Sequence, residues 1–304
     1  MKPQIFITGG SGLLALNWAV ALKDRYSVTL GLHEREIALA GVQAKRIDLE
    51  SVDHIVRAFE IVQPQIVIHT AGLTSVEKCE ADPDLAKRVN VQLATNATQA
   101  CVKLGLPLIH ISTDHLFSGG ESLVDETCPV APINVYGRTK AEAEARVLEA
   151  HPRSLVIRTN FYGWGTSYRH SFSDVIIESL RAGKEVSLFQ DVFYTPILVE
   201  TVALAVHDLI DLGATGIFHV VGDERISKYE FGLKLAQEFN LDTRLIKPGC
   251  IADQASLVHR PHDMSISNQK TCTVLGRKLG GVGVHLARLH QQEQNGLAQE
   301  LQKL

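Results

Sequence analysis

The sequence has few cysteines, and none of them has the spacing of a metal site or a redox motif. The five are Cys79, Cys101, Cys128, Cys250 and Cys272, an odd number without a C-x-x-C pair. This pattern argues against a disulfide framework and against metal binding by cysteine. We expect free thiols in a reducing cytosol.

Long runs of one charge sign and long apolar runs are also missing. The net charge is −4 over 304 residues. The sequence has no run rich in Lys and Arg, which argues against nucleic acid or a membrane surface as a partner. No uncharged apolar run approaches the roughly 18 residues of a membrane span. Ala19-Val20-Ala21 could imitate a signal-peptide cleavage site, but the glycines between Gly9 and Gly12 favour a strand, loop and helix. We therefore expect a cytoplasmic protein that acts on small molecules.

Short apolar strands alternate with helices through the first half of the chain. The pattern predicts strands at residues 4–8, 27–32, 44–47, 65–69, 108–112 and 155–158. Helices are predicted between them, including residues 13–23 and a long helix over roughly residues 83–104. Crossovers of this length predict an α/β fold with a Rossmann-type, doubly wound parallel sheet. After Arg158 the alternation loosens, and we expect a smaller C-terminal α/β part.

A glycine-rich turn follows the first strand. Gly9-x-x-Gly12-x-x-Ala15 lies between that strand and the first helix. Glycines let the backbone approach a pyrophosphate, whose charge is met by free amides and by the positive end of the helix dipole. The turn therefore indicates a dinucleotide, although glycine turns are common and the pattern alone is weak.

The end of the second strand indicates which dinucleotide. An Asp or Glu there would bind the ribose 2′-hydroxyl of NAD, but the chain reads Gly31-Leu-His33-Glu34-Arg35. Because the strand tip carries no acid and Arg35 follows closely, we predict NADPH, with NADH as the alternative. An Arg35 that is simply solvated would also fit.

One stretch has the residues of a proton donor. Asn134 precedes a run of good helix formers, so Tyr136 and Lys140 should share one face in the first turns of a helix. A neighbouring ammonium favours phenolate and lowers a tyrosine pKa that is about 10 when unperturbed. Tyr136 could then protonate a carbonyl oxygen, whereas an ordinary exposed helix is the alternative.

Small and hydroxylated residues end two other strands. Thr70-Ala71-Gly72 and Ser112-Thr113-Asp114 stand at carboxyl ends of predicted strands, where open α/β sheets bind ligands. Capping or turn formation would explain the hydroxyls equally well. Asn90 lies inside the long predicted helix, and spacing alone favours a side chain turned to solvent.

Together these motifs resemble an extended short-chain dehydrogenase/reductase of the dTDP-4-dehydrorhamnose reductase branch, which also includes the regulatory β subunit of methionine adenosyltransferase. The resemblance covers nearly the whole chain and rests on the following segments: Thr8-Gly9-x-x-Gly12-x-x-Ala15, His69-Thr-Ala-Gly72, Val89-Asn90-Val91, Ile111-Ser-Thr-Asp114-x-x-Phe117-x-Gly119, Pro132-x-Asn134-x-Tyr136-Gly-x-Thr-Lys140, Asp191-x-Phe193-x-Thr195-Pro196, Ser227-x-Tyr229-Glu230-Phe231 and Arg260-Pro261.

The resemblance implies roles for individual residues. Tyr136 would protonate the carbonyl oxygen, Lys140 would hold the nicotinamide ribose and lower the tyrosine pKa, and Thr113 would orient the substrate oxygen. Asn90 would kink its helix or take part in a proton relay. The implied cofactor contacts are Gly9, Gly12, Leu13, Leu14, His33, Arg35, Asp48, Leu49, Ala71, Gly72 and Lys140. The implied substrate contacts are Ser112, Thr113, Asp114, His115, Tyr136, Asn160 and Arg260.

The function that the resemblance implies is NADPH-dependent reduction of a 4-keto (deoxy)sugar linked to a nucleoside diphosphate. An epimerase that retains its cofactor and a cofactor-binding regulatory subunit are the alternatives. Residues 1–158, with returning segments, would form the NADP-binding domain, and residues 159–304 mainly the substrate-binding part. A homodimer is compatible with the resemblance.

Two departures from the family pattern affect substrate more than reaction. His115-Leu116 and Ser118 stand where Tyr-Val and Asp are usual, so His115 indicates either an altered sugar pocket or a loop residue facing water. Near Asn17 and Trp18 there is no carboxylate of the kind that forms a metal-bridged dimer in some bacterial reductases. We therefore predict no metal site.

Overall fold

The computed structural model describes residues 2–254 and 257–304. Its strands, in chain order, are β1 (Gln4–Thr8), β2 (Ser27–Leu32), β3 (Gln43–Arg46), β4 (Ile66–His69), β5 (Leu108–Ile111), β6 (Leu155–Arg158), β7 (Phe161–Tyr162), β8 (Val186–Phe189), β9 (Phe193–Tyr194), β10 (Ile197–Leu198), β11 (Gly216–His219), β12 (Ile226–Ser227) and β13 (Ile246–Gly249).

The α-helices are α1 (Leu13–Leu22), α2 (Val52–Val62), α3 (Val76–Ala81), α4 (Pro83–Lys87), α5 (Leu93–Leu104), α6 (Val135–Ala150), α7 (Phe172–Arg181), α8 (Val199–Asp211), α9 (Lys228–Glu238), α10 (Gln269–Leu275), α11 (Val282–Gln294) and α12 (Leu297–Gln302). A π-helical segment, Arg88–Gln92, joins α4 to α5. Short 3-10 turns lie at Thr243–Leu245 and Ile251–Asp253. Among these helices none is both long and apolar enough to cross a bilayer.

The centre of the fold is a seven-stranded sheet in the order β11-β6-β5-β4-β1-β2-β3. Every neighbouring pair in it is parallel. The chain builds outward from β1 through β2 and β3, then crosses over and builds from β4 in the other direction. The order therefore reverses between β1 and β4, where open α/β sheets leave a crevice for ligands. Thr8 lies opposite His69 at this point.

Apolar side chains cover both faces of the sheet. Along β1, Ile5 and Ile7 join one core cluster and Phe6 joins another, as the period of two in a strand requires. Helices α1 and α8 pack together, while α2, α5 and α6 form a second contacting group. Burial on both faces explains why these strands read as nearly continuous apolar runs in the sequence.

The small sheets all lie after Arg158. They pair β7 with β10 and β8 with β13 in parallel, and β9 with β12 antiparallel. Strand β11 instead returns to the large sheet beside β6. The predicted doubly wound Rossmann-type fold with a smaller C-terminal α/β part is thus confirmed.

The long predicted helix over residues 83–104 is wrong in one respect. It is divided into α4, the π-helical segment and α5, and α3 precedes it without having been predicted. A π-helical turn accommodates about one extra residue and interrupts regular α-helical hydrogen bonding. Asn90 lies within this π-helical segment and belongs to the candidate site.

Candidate active site

Helix α6 begins where the sequence predicts. The side chain of Asn134 caps the helix, because its Oδ1 accepts a hydrogen bond from the Gly137 amide at 2.9 Å. The Val135 amide donates to Oε2 of Glu80, also at 2.9 Å. These two contacts fix the first turn, which carries Tyr136; Lys140 follows one turn later on α6.

Tyr136 is buried, with 7% of its surface exposed. Its ring meets the edge of the His115 ring at a centroid distance of 5.4 Å. Burial raises the pKa of Tyr136 well above its usual value, while a hydrogen bond with Thr113 opposes the rise and the charge of Asp114 adds to it. The predicted lowering of this pKa by Lys140 is therefore wrong for this arrangement, in which desolvation dominates.

Lys140 points to the sheet. Its Nζ donates to the Ile111 carbonyl at 2.6 Å and lies 3.5 Å from Nε2 of His110. Burial lowers the pKa of Lys140 to about 8, and the charge of Glu144 opposes this shift. Lys140 and Tyr136 share a helix face, but the hydrogen-bond partner of the buried ammonium is the Ile111 carbonyl at the end of β5.

Two stacked histidines lie beside that ammonium. The rings of His69 and His110 are 5.6 Å apart and nearly parallel. Burial, followed by the charge of Lys140, lowers the pKa of His69 to about 3 and that of His110 well below its ordinary value. Both imidazoles are therefore neutral at physiological pH, and Lys140 is the cation of this group.

Asn90 joins three parts of the site. Its Oδ1 accepts from the Leu73 amide at 2.7 Å, and its Nδ2 donates to the Leu73 carbonyl at 3.1 Å and to Thr139 Oγ1 at 3.0 Å. The residue is 1% exposed, so the solvent-facing position favoured by spacing is wrong. The helix distortion implied by the resemblance is present as the π-helical segment.

The loop after β5 forms a polar cluster with the chain after β6. Thr113 Oγ1 donates to Oδ1 of Asp114 at 3.2 Å, and the His115 amide donates to the same threonine hydroxyl at 3.3 Å. Asn160 donates its Nδ2 to the other oxygen of Asp114. Within the described residues, the Ser112 hydroxyl and Nδ1 of His115 are buried polar atoms without a hydrogen-bond partner.

Lys228 belongs to this cluster, and sequence reasoning missed it. Its Nζ lies 3.3 Å from the centre of the Tyr194 ring and 4.7 Å from that of Phe172. Burial lowers the pKa of Lys228 to about 8, with Asp114 opposing the shift. The signal in the sequence was its position within a family motif: Lys228 is the residue written x in Ser227-x-Tyr229-Glu230-Phe231.

Arg260 also lies close enough to influence this cluster, since its charge helps to lower the pKa of the half-buried His115 after the larger effect of burial. Its guanidinium is paired with Glu77 and donates to the Val258 carbonyl at 3.4 Å. The predicted contact with a substrate phosphate stays a prediction.

The glycine turn packs against the end of β4. Gly9 has φ +66°, and a Cβ on it would lie 2.8 Å from the Cα of Ala71, so only glycine fits here. Gly12 precedes α1, and within the described chain no side chain caps the helix. The first amides of α1 are thus available to an anion. The turn thus meets Ala71 at the end of β4, whereas the cofactor contacts predicted for Leu13, Leu14 and Gly72 stay predictions.

The remaining predicted cofactor residues lie at the tips of β2 and β3. A surface cavity of about 470 Å³ includes His33 and Asp48 in its lining. A hydrogen bond from the Glu50 amide is the first cause of a lowered pKa of Asp48, whose side chain also contacts His54 at 3.2 Å. Leu49 follows Asp48 and is partly buried. Arg35 is not among the residues that line this cavity; its guanidinium carbon lies 3.7 Å from the centre of the Tyr168 ring.

The sequence matches the family described as RmlD substrate binding domain over residues 1–294. A relative from Haloferax volcanii, named a probable low-salt glycan biosynthesis reductase, is 30% identical over 260 residues, or 84% of this chain and 87% of that protein. The methionine adenosyltransferase 2 subunit beta of Mus musculus is 29% identical over 252 residues, or 81% of this chain and 75% of that protein.

A solved structure shares the fold over almost the full length. The dTDP-4-dehydrorhamnose reductase of Bacillus anthracis, crystallised in complex with NADP, gives a TM-score of 0.85 at 25% identity and covers 96% of this chain and 100% of its own. The match to the family model and the crevice at the strand tips lead to one classification. The chain belongs to the RmlD substrate binding domain family, in the class of NAD(P)-dependent oxidoreductases.

Proposed function

We propose that this protein reduces a 4-keto (deoxy)sugar linked to a nucleoside diphosphate, with NADPH as its reductant. The observation that carries the proposal is the position of the buried Tyr136 phenol beside Thr113, at the same sheet edge as the glycine turn. The names of the Haloferax volcanii and Bacillus anthracis relatives support a reductase in glycan or deoxysugar synthesis.

The chain offers a cradle that fits a dinucleotide. Gly9 and Gly12 permit a turn whose backbone is too closely packed for side chains, and the free first amides of α1 would meet a pyrophosphate there. Arg35 would meet the 2′-phosphate, and Lys140 would hold the nicotinamide ribose. When bound, the reduced nicotinamide supplies the hydride. These assignments remain part of the proposal.

Tyr136 would act as the proton donor. Because burial raises its pKa, the phenol keeps its proton at neutral pH and can release it as negative charge develops on the carbonyl oxygen. Thr113 would orient that oxygen. Thr139 donates its hydroxyl to the Tyr136 carbonyl at 2.9 Å and accepts from Asn90, so Asn90 fixes the helix turn that carries the donor. A relay through Asn90 is a further part of the proposal.

The sugar nucleotide would lie against the polar cluster after β5 and β6. Ser112 and His115 present buried polar atoms there, and Asn160 holds Asp114 in place. Residues 1–158 with β11 would form the cofactor-binding part, and residues 159–304 mainly the substrate-binding part. A cytoplasmic location and a homodimer stay predictions.

A regulatory role is the second candidate, because the methionine adenosyltransferase subunit of Mus musculus is 29% identical over 81% of this chain. Such a protein would bind the cofactor without turnover of its own. An epimerase that retains its cofactor has no specific observation in its favour and remains only a prediction from the sequence.

The test follows the loss of reduced-nicotinamide absorbance when purified protein meets NADPH and a panel of nucleotide-linked 4-keto-6-deoxysugars. Tyr136→Phe should lower kcat by about 10²–10⁴-fold, the contribution expected of a general acid. Tyr26→Phe is the matched control, since Tyr26 is also 7% exposed and packs on His207 at 4.6 Å. Firm NADPH binding without turnover on any sugar would contradict the reductase and favour the regulatory subunit.

A further inference from the structure

A small hairpin joins the chain after β7 to the glycine turn. The Thr166 amide donates to the Arg169 carbonyl at 2.9 Å, and the Arg169 amide donates back at 3.1 Å. Ser167 and Tyr168 therefore form its tip. The Gly165 amide donates to Oδ2 of Asp174 at 2.8 Å, and Asp174 belongs to the capping box of α7. The hairpin is thus braced by a helix terminus rather than left as a free loop.

Two neighbouring residues of this hairpin, Tyr168 and Arg169, contact the two sides of the crevice between β1 and β4. The Tyr168 hydroxyl donates to the Ser11 carbonyl, in the glycine turn, at 2.8 Å. Arg169 donates from Nη2 to Thr74 Oγ1, in the loop after β4, at 2.6 Å. One short segment therefore contacts both strand-end loops that enclose the cofactor cradle.

Tyr168 makes a second contact, with Arg35. The guanidinium carbon lies 3.7 Å from the ring centre, and within the described chain Arg35 takes part in no ion pair. Arg35 is exposed, so without the ring its long side chain would sample many rotamers. Stacking fixes the plane of the guanidinium and leaves its N–H groups free to bind an anion in that plane.

We propose that Tyr168 is a positioning residue for cofactor selectivity, because its ring holds Arg35 ready for the 2′-phosphate that distinguishes NADPH from NADH. This inference rests on the proposed use of NADPH. Its recognition chemistry is a phosphate monoester bound by an arginine that an aromatic ring has already oriented. The ring, rather than the hydroxyl, carries the effect.

The test measures dissociation constants for NADPH and NADH directly, by the fluorescence of the reduced nicotinamide, so it requires no sugar substrate. Failure of the reductase assay would therefore leave this result readable. Tyr168→Leu should raise the Kd for NADPH about three- to five-fold, the range of a cation–π contact, and leave that for NADH unchanged. Tyr168→Phe should keep the wild-type ratio of the two constants. Ser167→Ala, at the same tip, is the matched control.

A double variant separates positioning of Arg35 from a general effect of the hairpin. Arg35→Gln should weaken NADPH binding about tenfold or more, and adding Tyr168→Leu should cause no further loss. Equal weakening of NADPH and NADH binding in Tyr168→Leu would overturn the proposal. So would a further rise of about three- to five-fold in the Kd for NADPH when Tyr168→Leu is added to Arg35→Gln. A Tyr168→Phe variant that behaves like Tyr168→Leu would overturn it too. An unchanged Kd for NADPH in Tyr168→Leu would overturn it as well.

Discussion

Replacing Glu144 by glutamine should destabilise the protein much more than the same replacement two residues earlier on α6. Glu144 binds Arg158, at the end of β6, through hydrogen bonds of 2.7 to 3.2 Å to both carboxylate oxygens. The two side chains are only 5% and 4% exposed. Removing one charge from a pair this deeply buried leaves the other without compensation.

The structure sets the size of the effect. A further polar neighbour of Arg158 is His219, at 3.4 Å; burial lowers the pKa of His219 to about 3, so its imidazole remains neutral. Phe117 adds a weak cation–π contact at 5.5 Å. Breaking a buried pair costs about 3–5 kcal/mol, and because glutamine retains one oxygen as an acceptor we expect about 3 kcal/mol. For a chain of this size that corresponds to a fall in Tm of roughly 5 °C.

The assay is chemical and thermal unfolding followed by circular dichroism. Glu142→Gln is the control, because the Glu142–Arg146 pair is 36% and 41% exposed and should contribute less than about 0.5 kcal/mol. Arg158→Met added to Glu144→Gln should recover part of the loss, since no buried charge then lacks a partner. Equal destabilisation by Glu142→Gln and Glu144→Gln would refute the reasoning.

Two further predictions concern the cradle and the buried ammonium groups. Gly9→Ala should weaken NADPH binding and lower Tm, because the new Cβ would lie 2.8 Å from Ala71 backbone atoms. Gly183→Ala is the control for backbone strain alone, since Gly183 has φ +67° and open space around it. Equal loss of NADPH binding in the two variants would contradict this prediction. Folding lowers the pKa of Lys140 and of Lys228 from 10.5 to about 8. Between these two pH values the unfolded chain binds more protons than the folded one, so the free energy of unfolding should rise as the pH increases from about 8 to 10. Urea titrations should show that the free energy of unfolding rises less between about pH 8 and pH 10 in Lys140→Met and in Lys228→Met than in the wild type. The same pH dependence in both variants as in the wild type would count against this prediction.

Local patterns were enough to predict much of the fold and part of the site. The strand, glycine turn and helix around Gly9 and the capped start of α6 depend on residues close together in sequence, so periodicity and capping chemistry identified them. Asn90 was placed wrongly by spacing, because its partners Leu73 and Thr139 lie 17 and 49 positions away. No helix propensity contains that information.

Contacts between distant segments account for what the sequence did not predict. Lys228 depends on aromatic rings and a carboxylate from three other parts of the chain, and Arg35 depends on a hairpin tip far along the sequence. The pKa of Tyr136 was predicted in the wrong direction because an i, i+4 spacing reports proximity along a helix and says nothing about desolvation.

The π-helical segment at Arg88–Gln92 has a consequence for how this protein can change by insertion and deletion. Such a segment corresponds to a single residue added to an otherwise regular helix, so removing one residue there would restore an unbroken helix from α4 to α5. That shorter chain would gain regular backbone hydrogen bonds and lose the reach of Asn90 to Leu73 and Thr139. The irregularity is therefore a position where selection for stability and selection for the site act in opposite directions.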